Sequence, residues 1–400
     1  MNDFNAKYGK MIFNLGVILY FSTAIIEMTS NYCLSGEKYL SLIIQGIQML
    51  AYMLFLVRCV INIDIKDRKR AVLNVIILVV FGISGINIGH KFFVLTAIAI
   101  LSAMGIGTKN VAKITMMVQG TMLFGIILLS QVGVIQDYVF EDRNRHSMGL
   151  SWATTAPILF FYFSMAYMYV REKKFKWFEA IALEMINIYL FVMTDTRMTF
   201  ALSTLSLLFF WVQTFWKKPW SFLSRFKWLY VAVPVLFATI SVVATKIYNP
   251  LSEKWVKINK ILTGRLQLGQ YALNDYKITL FGQDIEWRGY GILNGGRAEQ
   301  YNYVDCSYIQ ILLSYGILVL LVVLFIYTLG IVMATRINDY CLVFIILFAL
   351  VHGLTEPHLI AIAPNIIFLL LLAYVNTEKS KESKVLDTIN EKHIGVDKDV

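Results

Sequence analysis

Residues 308–334, YIQILLSYGILVLLVVLFIYTLGIVMA, run for 27 consecutive positions without an Asp, Glu, Lys or Arg. A helix needs about 20 predominantly apolar residues to cross the hydrocarbon core of a bilayer. Inside lipid, the backbone N–H and C=O groups must bond to one another, and a helix achieves this within a single segment. The stretch therefore predicts a membrane-spanning helix.

The same pattern recurs along the whole chain. Of its 400 residues, 58% are hydrophobic and 16% are charged, whereas soluble domains carry about 25% charged residues. The charges are confined to short stretches between long apolar runs, so we predict an all-α, polytopic transmembrane bundle of about twelve helices. The predicted spans are 11–28, 39–57, 71–88, 91–106, 114–134, 152–170, 178–194, 198–215, 228–245, 308–334, 340–355 and 359–375.

The distribution of basic residues predicts the orientation. Short cytoplasmic loops collect Lys and Arg, and an even number of spans places both termini on one side. With both termini in the cytoplasm, most of the basic clusters are also cytoplasmic, and the short outer loops contain few Lys or Arg. We predict a multi-pass protein of the cell membrane. The net charge of +10 is then explained by topology and by attraction to anionic membrane lipid, with no role for nucleic acid.

One connection, residues 246–306, is much longer than the others. Long structured connections in compact proteins are usually functional, and long loops are exempt from the local charge rule. Within it we predict a short amphipathic helix over 261–276 that lies on the membrane surface. Its apolar face is formed by Leu262, Leu266, Leu273 and Tyr276.

These features divide the chain into two parts. Residues 1–375 form a transmembrane domain, with 246–306 as its extracytoplasmic loop. Residues 376–400 form a charged cytoplasmic tail without apolar periodicity, which is typical of a disordered segment.

Arginines predicted to lie outside the membrane are the most informative chemical feature. A guanidinium presents a planar fork of donors that matches two phosphate oxygens, and it keeps its charge. Arg197 lies between two apolar spans with almost no loop, where a charge is costly and usually has a partner or a task. The alternatives to an anion site are a pair with Asp195 or snorkelling to the surface. The outer arginines are Arg143, Arg145, Arg197, Arg265, Arg288 and Arg297.

Three further polar groups are predicted on the same side. The stretch 142–149 contains two arginines and His146, which can clamp a phosphate or a sugar, although ordinary loop solvation is the alternative. The Thr-Gly-Arg triplet 263–265 begins the predicted surface helix, and backbone N–H groups at a helix start favour an anion. Asp305 precedes the tenth span, where it either caps the helix or acts as a general base.

The last predicted outer turn carries His352, Glu356 and His358. Their spacing is not a usual one for metal ligands, and the chain contains no HExxH or CxxC motif. We expect no metal and no cofactor.

Several short motifs together resemble the Wzy-type polysaccharide repeat-unit polymerases of Gram-positive bacteria, which are related to the O-antigen ligases. The resemblance covers most of the chain and rests on the order and spacing of these motifs. The position after Asp305 is a cysteine, where the family pattern has Asn or Ser. The motifs are Arg145-His146-Ser147-Met148-Gly149, Thr194-Asp195-Thr196-Arg197, Thr263-Gly264-Arg265, Phe281-Gly282-Gln283, Val304-Asp305-Cys306-Ser307-Tyr308, Tyr315-Gly316, and Glu356 with Asn365.

The resemblance implies a lipid-dependent, GT-C-like glycosyltransferase fold and an oligosaccharide on undecaprenyl diphosphate as substrate. The departing diphosphate requires fixed cations, so Arg197 and Arg265 are predicted to be catalytic. Asp305 is predicted to be the base that accepts the proton of the acceptor hydroxyl, with His146 as the second candidate. The predicted substrate-binding residues are Arg143, Arg145, His146, Thr263, Gly264, Arg288, Tyr308 and Glu356.

The same resemblance implies a chain-length regulator and a flippase of the same pathway as partners, and no metal. Two alternative functions remain open on the sequence. One is a flippase or transporter of lipid-linked glycans, and the other is a ligase that transfers finished glycan to another acceptor. Transporters place ionisable groups near the bilayer midplane, whereas here Glu184 is the main carboxylate deep within a predicted span.

Overall fold

The computed structural model describes residues 2–62, 67–90, 93–141, 143–215, 223–294 and 301–373. The predicted tail 376–400 lies outside the described residues, as does Arg297. The described chain is an all-α membrane bundle with one two-stranded hairpin, so the predicted fold class is confirmed at this level.

Seven of the described helices are long and apolar enough to cross a membrane, which makes this a multi-pass membrane protein. They are α1, α3, α4, α6, α8, α10 and α14 in the numbering used below. In chain order the helices are α1 (Asn2–Glu27), α2 (Ser30–Ser35), α3 (Lys38–Ile61), α4 (Arg68–Asn87), α5 (Phe93–Ser102), α6 (Thr108–Gln131), α7 (Thr155–Arg171), α8 (Trp177–Thr194), α9 (Arg197–Thr214), α10 (Lys227–Ile247), α11 (Glu253–Ile261), α12 (Arg265–Asp275), α13 (Ser307–Gln310), α14 (Ile317–Arg336), α15 (Tyr340–His352) and α16 (Ile366–Leu370). The strands are β1 (Val139–Phe140) and β2 (Arg145–His146), which pair antiparallel.

Local sequence accounts for several of the helix ends. Asp67 caps α4 by accepting a hydrogen bond from the backbone of Arg70, and Asp339 caps α15 by accepting one from Leu342. Such caps satisfy backbone donors that have no partner within the helix. Asp195 ends α8 in the left-handed conformation, which Asp and Asn tolerate better than most residues.

The sequence predicts one continuous helix over 308–334, and this prediction is wrong. The helix is broken at Gly316. A π-helical turn, Ile311–Tyr315, follows α13, and Gly316 then adopts a φ of +91° before α14 begins. The first donors of α14 bond outside the helix, because the N–H groups of Ile317 and Leu318 reach the carbonyls of Thr279 and Leu280. Pairing with the long loop therefore compensates for the break.

Other predicted spans are shorter than the apolar runs that suggested them. The run 91–106 contains only ten helical residues in α5, and the run 340–355 contains thirteen in α15. The run 359–375 is helical only over Ile366–Leu370. These segments are surrounded by the rest of the bundle, so their apolar character reflects burial in protein.

The predicted surface helix 261–276 also differs in the structure. Helix α11 ends at Ile261, and α12 begins only at Arg265, after Gly264 at a φ of +86°. Leu266, Gly269 and Ala272 are buried against the bundle, and a side chain at position 269 would meet Thr245 and Ile309. This helix is therefore packed on the bundle rather than laid on the membrane surface.

The bundle has a centre and a periphery. Helix α7 is central, since Phe160, Phe161 and Tyr162 are fully buried. Helix α3 is peripheral, because only 17% of an apolar 18-residue stretch within it is buried, whereas the corresponding share in α14 is 50%. An exposed apolar helix of this kind is explained by contact with lipid.

The helix connections collect at two opposite faces. We call one of them the loop face, formed by the described parts of the connections, 132–141, 143–154, 195–196, 248–294, 301–306 and 353–365. They contact one another there: Arg143 reaches Asp195, and the backbone N–H of Ser307 bonds to the carbonyl of Gly353. At the opposite end of the helices, Lys109 pairs with Glu172 at 2.9 Å and Lys10 bonds to Asn110 at 2.8 Å. The N-terminal helix therefore begins at the face opposite the loop face.

Candidate functional site

A cavity of about 440 Å³ opens at the loop face. It lies among the hairpin, the entry to α7, the α8–α9 turn, the start of α12 and the turn after α15. Among the residues that the structure describes, four arginines and three carboxylates line it, so separate connections bring their charges to one place. The lining residues are Phe140, Arg143, Arg145, Trp152, Ala153, Thr154, Asp195, Thr196, Arg197, Met198, Thr263, Gly264, Arg265, Gln267, Leu268, Tyr290, Tyr301, Asp305 and Glu356.

The hairpin separates the roles of two adjacent predicted residues. Successive side chains of a strand point to opposite sides, and Arg145 lines the cavity whereas His146 does not. The Nδ1 atom of His146 lies 2.6 Å from the Asp137 carboxylate, which also accepts a hydrogen bond from the backbone of Met148. His146 therefore fixes the shape of the hairpin, and the structure places it away from the site that the sequence predicts for it.

The α8–α9 turn holds two guanidinium groups around one carboxylate. Arg197 donates from Nε to Oδ1 of Asp195 at 3.0 Å and from Nη2 to Oδ2 at 3.2 Å. Arg143 donates to the same Oδ2 at 3.2 Å. The hydrogen bond from Arg197 lowers the pKa of the Asp195 carboxyl, and the charge of Arg143 lowers it further. The pairing of Arg197 with Asp195, one of the alternatives for Arg197, is thus present together with the cavity.

Arg197 is not buried within the protein, although the sequence places it between two apolar spans. Its side chain remains 64% exposed, and the cavity runs past it. An exposed ion pair of this kind contributes little to stability. Its guanidinium is therefore available to exchange the Asp195 carboxylate for another anion.

Arg265 is more buried than Arg143 and Arg197, with 13% of its side chain exposed against 46% and 64%. It is the first residue of α12, directly after two left-handed residues, Thr263 and Gly264. Glycine adopts this conformation without steric cost, whereas a β-branched residue rarely does. The strained turn directs the side chain of Arg265 across the cavity toward the turn after α15.

The guanidinium of Arg265 contacts groups from three connections. Its Nε donates to the carbonyl of Thr355 at 2.9 Å, and its Nη1 donates to the Thr263 hydroxyl. Its Nη2 lies 3.3 Å from Oε1 of Glu356 and 3.8 Å from Oδ2 of Asp305. One cation therefore lies between two carboxylates.

Asp305 is not the cap of the following helix, which removes the structural explanation that its sequence position offers. Cys306 occupies the N-cap position and makes no side-chain cap bond. Ser307 instead ties this strand of chain to the turn after α15. Its N–H bonds to Gly353, and its hydroxyl donates to the carbonyl of Glu356 and accepts from the N–H of Leu359. This clamp holds Asp305 and Glu356 on the same side of Arg265.

The two carboxyl groups share a site that favours a proton. Burial raises the pKa of Glu356; Arg265 opposes the rise and the nearby Asp305 adds to it. Burial also raises the pKa of Asp305, with Arg265 again opposing. Like charges this close to one guanidinium do not both ionise easily. The pair can therefore hold and accept a proton near neutral pH.

Aromatic side chains form part of the remaining wall. Tyr290 and Tyr301 stack with ring centroids 4.6 Å apart, and Trp152 lies 5.7 Å from Tyr303. The long loop crosses directly over the Trp152 indole, because a Cβ at Gly289 or Gly291 would overlap it. Flat aromatic surfaces beside polar groups suit ligands that present both apolar and polar faces.

The cavity brings together eight of the eleven predicted site residues and not the other three. Arg143, Arg145, Arg197, Thr263, Gly264, Arg265, Asp305 and Glu356 line it, of which Thr263 and Gly264 act through the turn that they form, whereas His146, Arg288 and Tyr308 do not. Arg288 pairs with Glu286 at 3.0 Å, and Tyr308 is fully buried with its hydroxyl donating to the carbonyl of Leu350.

Sequence reasoning did not select several residues that line the cavity. Trp152 and Tyr290 lie in loops, Phe140 in strand β1 and Gln267 in the first turn of α12, and none of them has a motif of its own. Asp195 was considered only as a partner of Arg197, although it also binds Arg143. The aromatic residues of the long loop, such as Trp255, Trp287, Tyr301 and Tyr303, are predicted from the sequence either to stack on sugar rings or to be interfacial anchors, and of these four Tyr301 lines the cavity.

Comparison with protein-family models, with curated proteins and with solved structures found no match for this chain.

Proposed function

We propose that this protein polymerises undecaprenyl-diphosphate-linked oligosaccharide repeat units into a surface polysaccharide. The reaction takes place at the outer face of the membrane, in the cavity of the loop face. The acceptor hydroxyl attacks the anomeric carbon of the donor sugar, the new C–O bond forms, and the bond from that carbon to the phosphate oxygen breaks. The hydroxyl proton passes to a carboxylate, and the lipid diphosphate leaves.

The observation that carries the proposal is the convergence of Arg143, Arg145, Arg197 and Arg265 on one cavity. A departing diphosphate gains negative charge, and preorganised cations stabilise that charge in the transition state. Guanidinium groups match phosphate oxygens in pairs and cannot lose their protons. The arginines supply positive charge of the kind that metal ions provide in other phosphate sites.

The position of the cavity supports a lipid-linked substrate. It opens where apolar helices end, so a ligand can keep a hydrocarbon chain in the bilayer while its diphosphate enters the site. The abundance of Lys and Arg in the connections opposite the loop face supports a cytoplasmic assignment for that face and for both termini. We therefore assign the loop face to the exterior and retain the twelve-span, GT-C-like topology as part of the proposal.

The carboxylate pair supports the acid–base half of the reaction. Asp305 has 25% of its side chain exposed and Glu356 has 6%, so Asp305 is the more accessible to an acceptor hydroxyl. A base is most effective when its pKa lies near the working pH, and burial moves both groups in that direction. Asp305 is assigned as the base, and Glu356 as the group that shares its proton.

The aromatic wall supports a sugar-containing substrate. Trp152, Tyr290 and Tyr301 lie in the same cavity as the arginines, so one ligand can reach both. The proposed partners are undecaprenyl-diphosphate-linked oligosaccharide, membrane lipid, and the flippase and chain-length regulator of the same pathway.

The test is glycan analysis of cells that carry a deletion or a point substitution. In Arg197→Ala and Arg265→Ala strains, we expect no polymer and accumulation of lipid-linked single repeats, with the protein still present in the membrane. Arg265→Lys should also fail, since an ammonium cannot replace the fork that spans three partners. Polymer of normal length in these strains would refute the assigned roles.

The deletion strain separates the alternatives. A polymerase leaves single repeats on the cell surface, whereas loss of a flippase leaves no surface sugar. Loss of a ligase leaves finished polymer on the lipid carrier. The arginine cavity suits a ligase as well as a polymerase, because both release the same leaving group, so this assay decides between them.

A further inference from the structure

The two cationic halves of the cavity come from separate parts of the chain. One half is built by the α8–α9 turn, with Arg197 at the start of α9, and the other by α12 and the turn after α15, with Arg265 and Glu356. A single ligand can use both halves only if their separation is fixed. A buried histidine beneath the cavity connects them.

His352 is the last residue of α15, and its side chain is fully buried. Its Nδ1 lies 3.2 Å from the hydroxyl of Tyr162 in α7, and its Nε2 lies 3.3 Å from the hydroxyl of Thr199 in α9. The ring also stacks on Phe161, with centroids 4.5 Å apart. Both ring nitrogens and one ring face therefore have partners, which satisfies a neutral imidazole.

Two short paths lead from His352 to the cavity, one through its side-chain bond to Thr199 and one through its main-chain carbonyl. Thr199 is two residues from Arg197, or about 3 Å along the helix axis. At the other end, the main-chain carbonyl of His352 accepts hydrogen bonds from the N–H groups of Thr355 and Glu356. The carbonyl of Thr355 in turn accepts from Arg265.

We propose that His352 is a positioning residue that fixes the distance between Arg197 and Arg265, so that both guanidinium groups engage one diphosphate. Its side chain holds the start of α9, and its carbonyl holds the turn that orients Arg265. This inference rests on the proposed function, because it assumes that one diphosphate spans the cavity. His352 itself touches no substrate, since it does not line the cavity.

The reason for a histidine at this position follows from the bonds. Two hydroxyls on different helices need a single buried group with one donor and one acceptor in a rigid ring. Phenylalanine keeps the volume and the stacking on Phe161 but leaves both hydroxyls without their partner, which costs free energy in a buried site. Misplacement of reacting groups by about 1 Å can lower a rate about 100-fold.

The experiment uses the full-length protein in detergent or nanodiscs and measures the affinity of inorganic pyrophosphate. We expect His352→Phe to weaken binding about tenfold, Thr199→Val to weaken it severalfold, and His352→Gln to recover part of the loss. The matched control is Thr204→Val, which makes the same chemical change on the same helix. The Thr204 hydroxyl bonds to Glu184 rather than to His352, so this variant should bind as the wild type does.

A double variant provides the readout that a general loss of stability would not produce. If His352 acts through Arg197, then adding His352→Phe to Arg197→Ala should weaken binding no further than Arg197→Ala alone. Full additivity, or wild-type affinity in folded His352→Phe and in Thr199→Val, overturns the inference and leaves the proposed function standing. Thr199→Val keeps the test decisive if His352→Phe does not fold. A wild-type protein that binds no pyrophosphate overturns the proposed function together with this inference.

Discussion

Replacement of Arg265 by alanine should damage both stability and activity, and the two effects can be separated. The substitution removes the cation that lies 3.3 Å from Glu356 and 3.8 Å from Asp305. At an effective dielectric constant of about 20, these separations correspond to a gross attraction of about 5 kcal/mol for an ionised Glu356 or about 4 kcal/mol for an ionised Asp305. Because the pair holds a proton near neutral pH, the two attractions are not added together. Much of this attraction offsets the cost of burying the charges, so the net loss is smaller.

Removing one partner of a buried ion pair costs about 3–5 kcal/mol. We expect about 3 kcal/mol for Arg265→Ala, near the lower limit of that range, because the two carboxyl groups can take up protons instead of remaining as uncompensated charges. Activity should fall about 10²–10³-fold, the typical effect of removing one donor that stabilises a developing anion.

The assay combines denaturant unfolding of the purified protein in detergent with polymer synthesis from lipid-linked repeats. Adding Glu356→Gln to Arg265→Ala leaves Asp305 as the only carboxyl of the pair that must be protonated or buried without the cation, so at least half of the lost stability should return while activity stays low. The matched control is Arg288→Ala, since Arg288 pairs with Glu286 at 3.0 Å in an exposed position and its removal should leave the unfolding midpoint almost unchanged. Recovery of activity together with stability would refute the role of Arg265 as an anion ligand, because stability alone would then explain the loss.

The remaining predictions concern the other parts of the site and the fold. Asp195→Asn should tighten pyrophosphate binding severalfold, measured by calorimetry, because the ligand no longer competes with a carboxylate for two guanidinium groups; weaker binding would contradict this. Because burial raises the pKa of Glu356 to about 8 in the folded protein from an ordinary value of 4.5, the stability that it contributes is complete below about pH 4.5 and is lost as the pH rises through about 8. Glu356→Gln should therefore flatten the pH dependence of unfolding, and an unchanged profile would show that this carboxyl does not titrate there. Gly282→Ala should destabilise the protein by more than about 2 kcal/mol, since φ is positive and a Cβ would overlap the backbone facing it. Gly46→Ala, in an exposed part of α3 with free space around it, should be neutral or stabilising by about 0.5–1 kcal/mol; equal effects of the two substitutions on the unfolding midpoint would contradict this account.

The fold class could be predicted because it depends on composition over long windows. Apolar runs in α1, α3, α10 and α14 are recognisable without any neighbour, since lipid requires both length and the absence of charge. Helix ends were less accessible to prediction. The break at Gly316 depends on hydrogen bonds to the carbonyls of Thr279 and Leu280. These residues lie far earlier in the chain, outside the range of any local sequence pattern.

The candidate site was predicted in part, and the errors have physical causes. A charged side chain close to hydrocarbon costs free energy, so each arginine next to an apolar span is a candidate site residue on its own. Arg143, Arg145, Arg197 and Arg265 do line one cavity. His146 was selected by its neighbours in a motif, but strand alternation turns it toward Asp137. Arg288 and Tyr308 carry suitable chemistry, yet an exposed pair with Glu286 and a buried bond to Leu350 keep them out of the cavity.

By itself the sequence determined that this chain is a helical membrane protein. Lipid requires each transmembrane segment to be apolar and to satisfy its own backbone hydrogen bonds, whatever its neighbours are. It also determined which residues carry charge at the ends of those segments. Only the tertiary structure decided which of these charges share a cavity, since that depends on contacts between residues far apart in the chain. The pairing of Arg265 with Glu356, 91 positions away, arises from the packing of α12 against the turn after α15, and no local pattern encodes that distance.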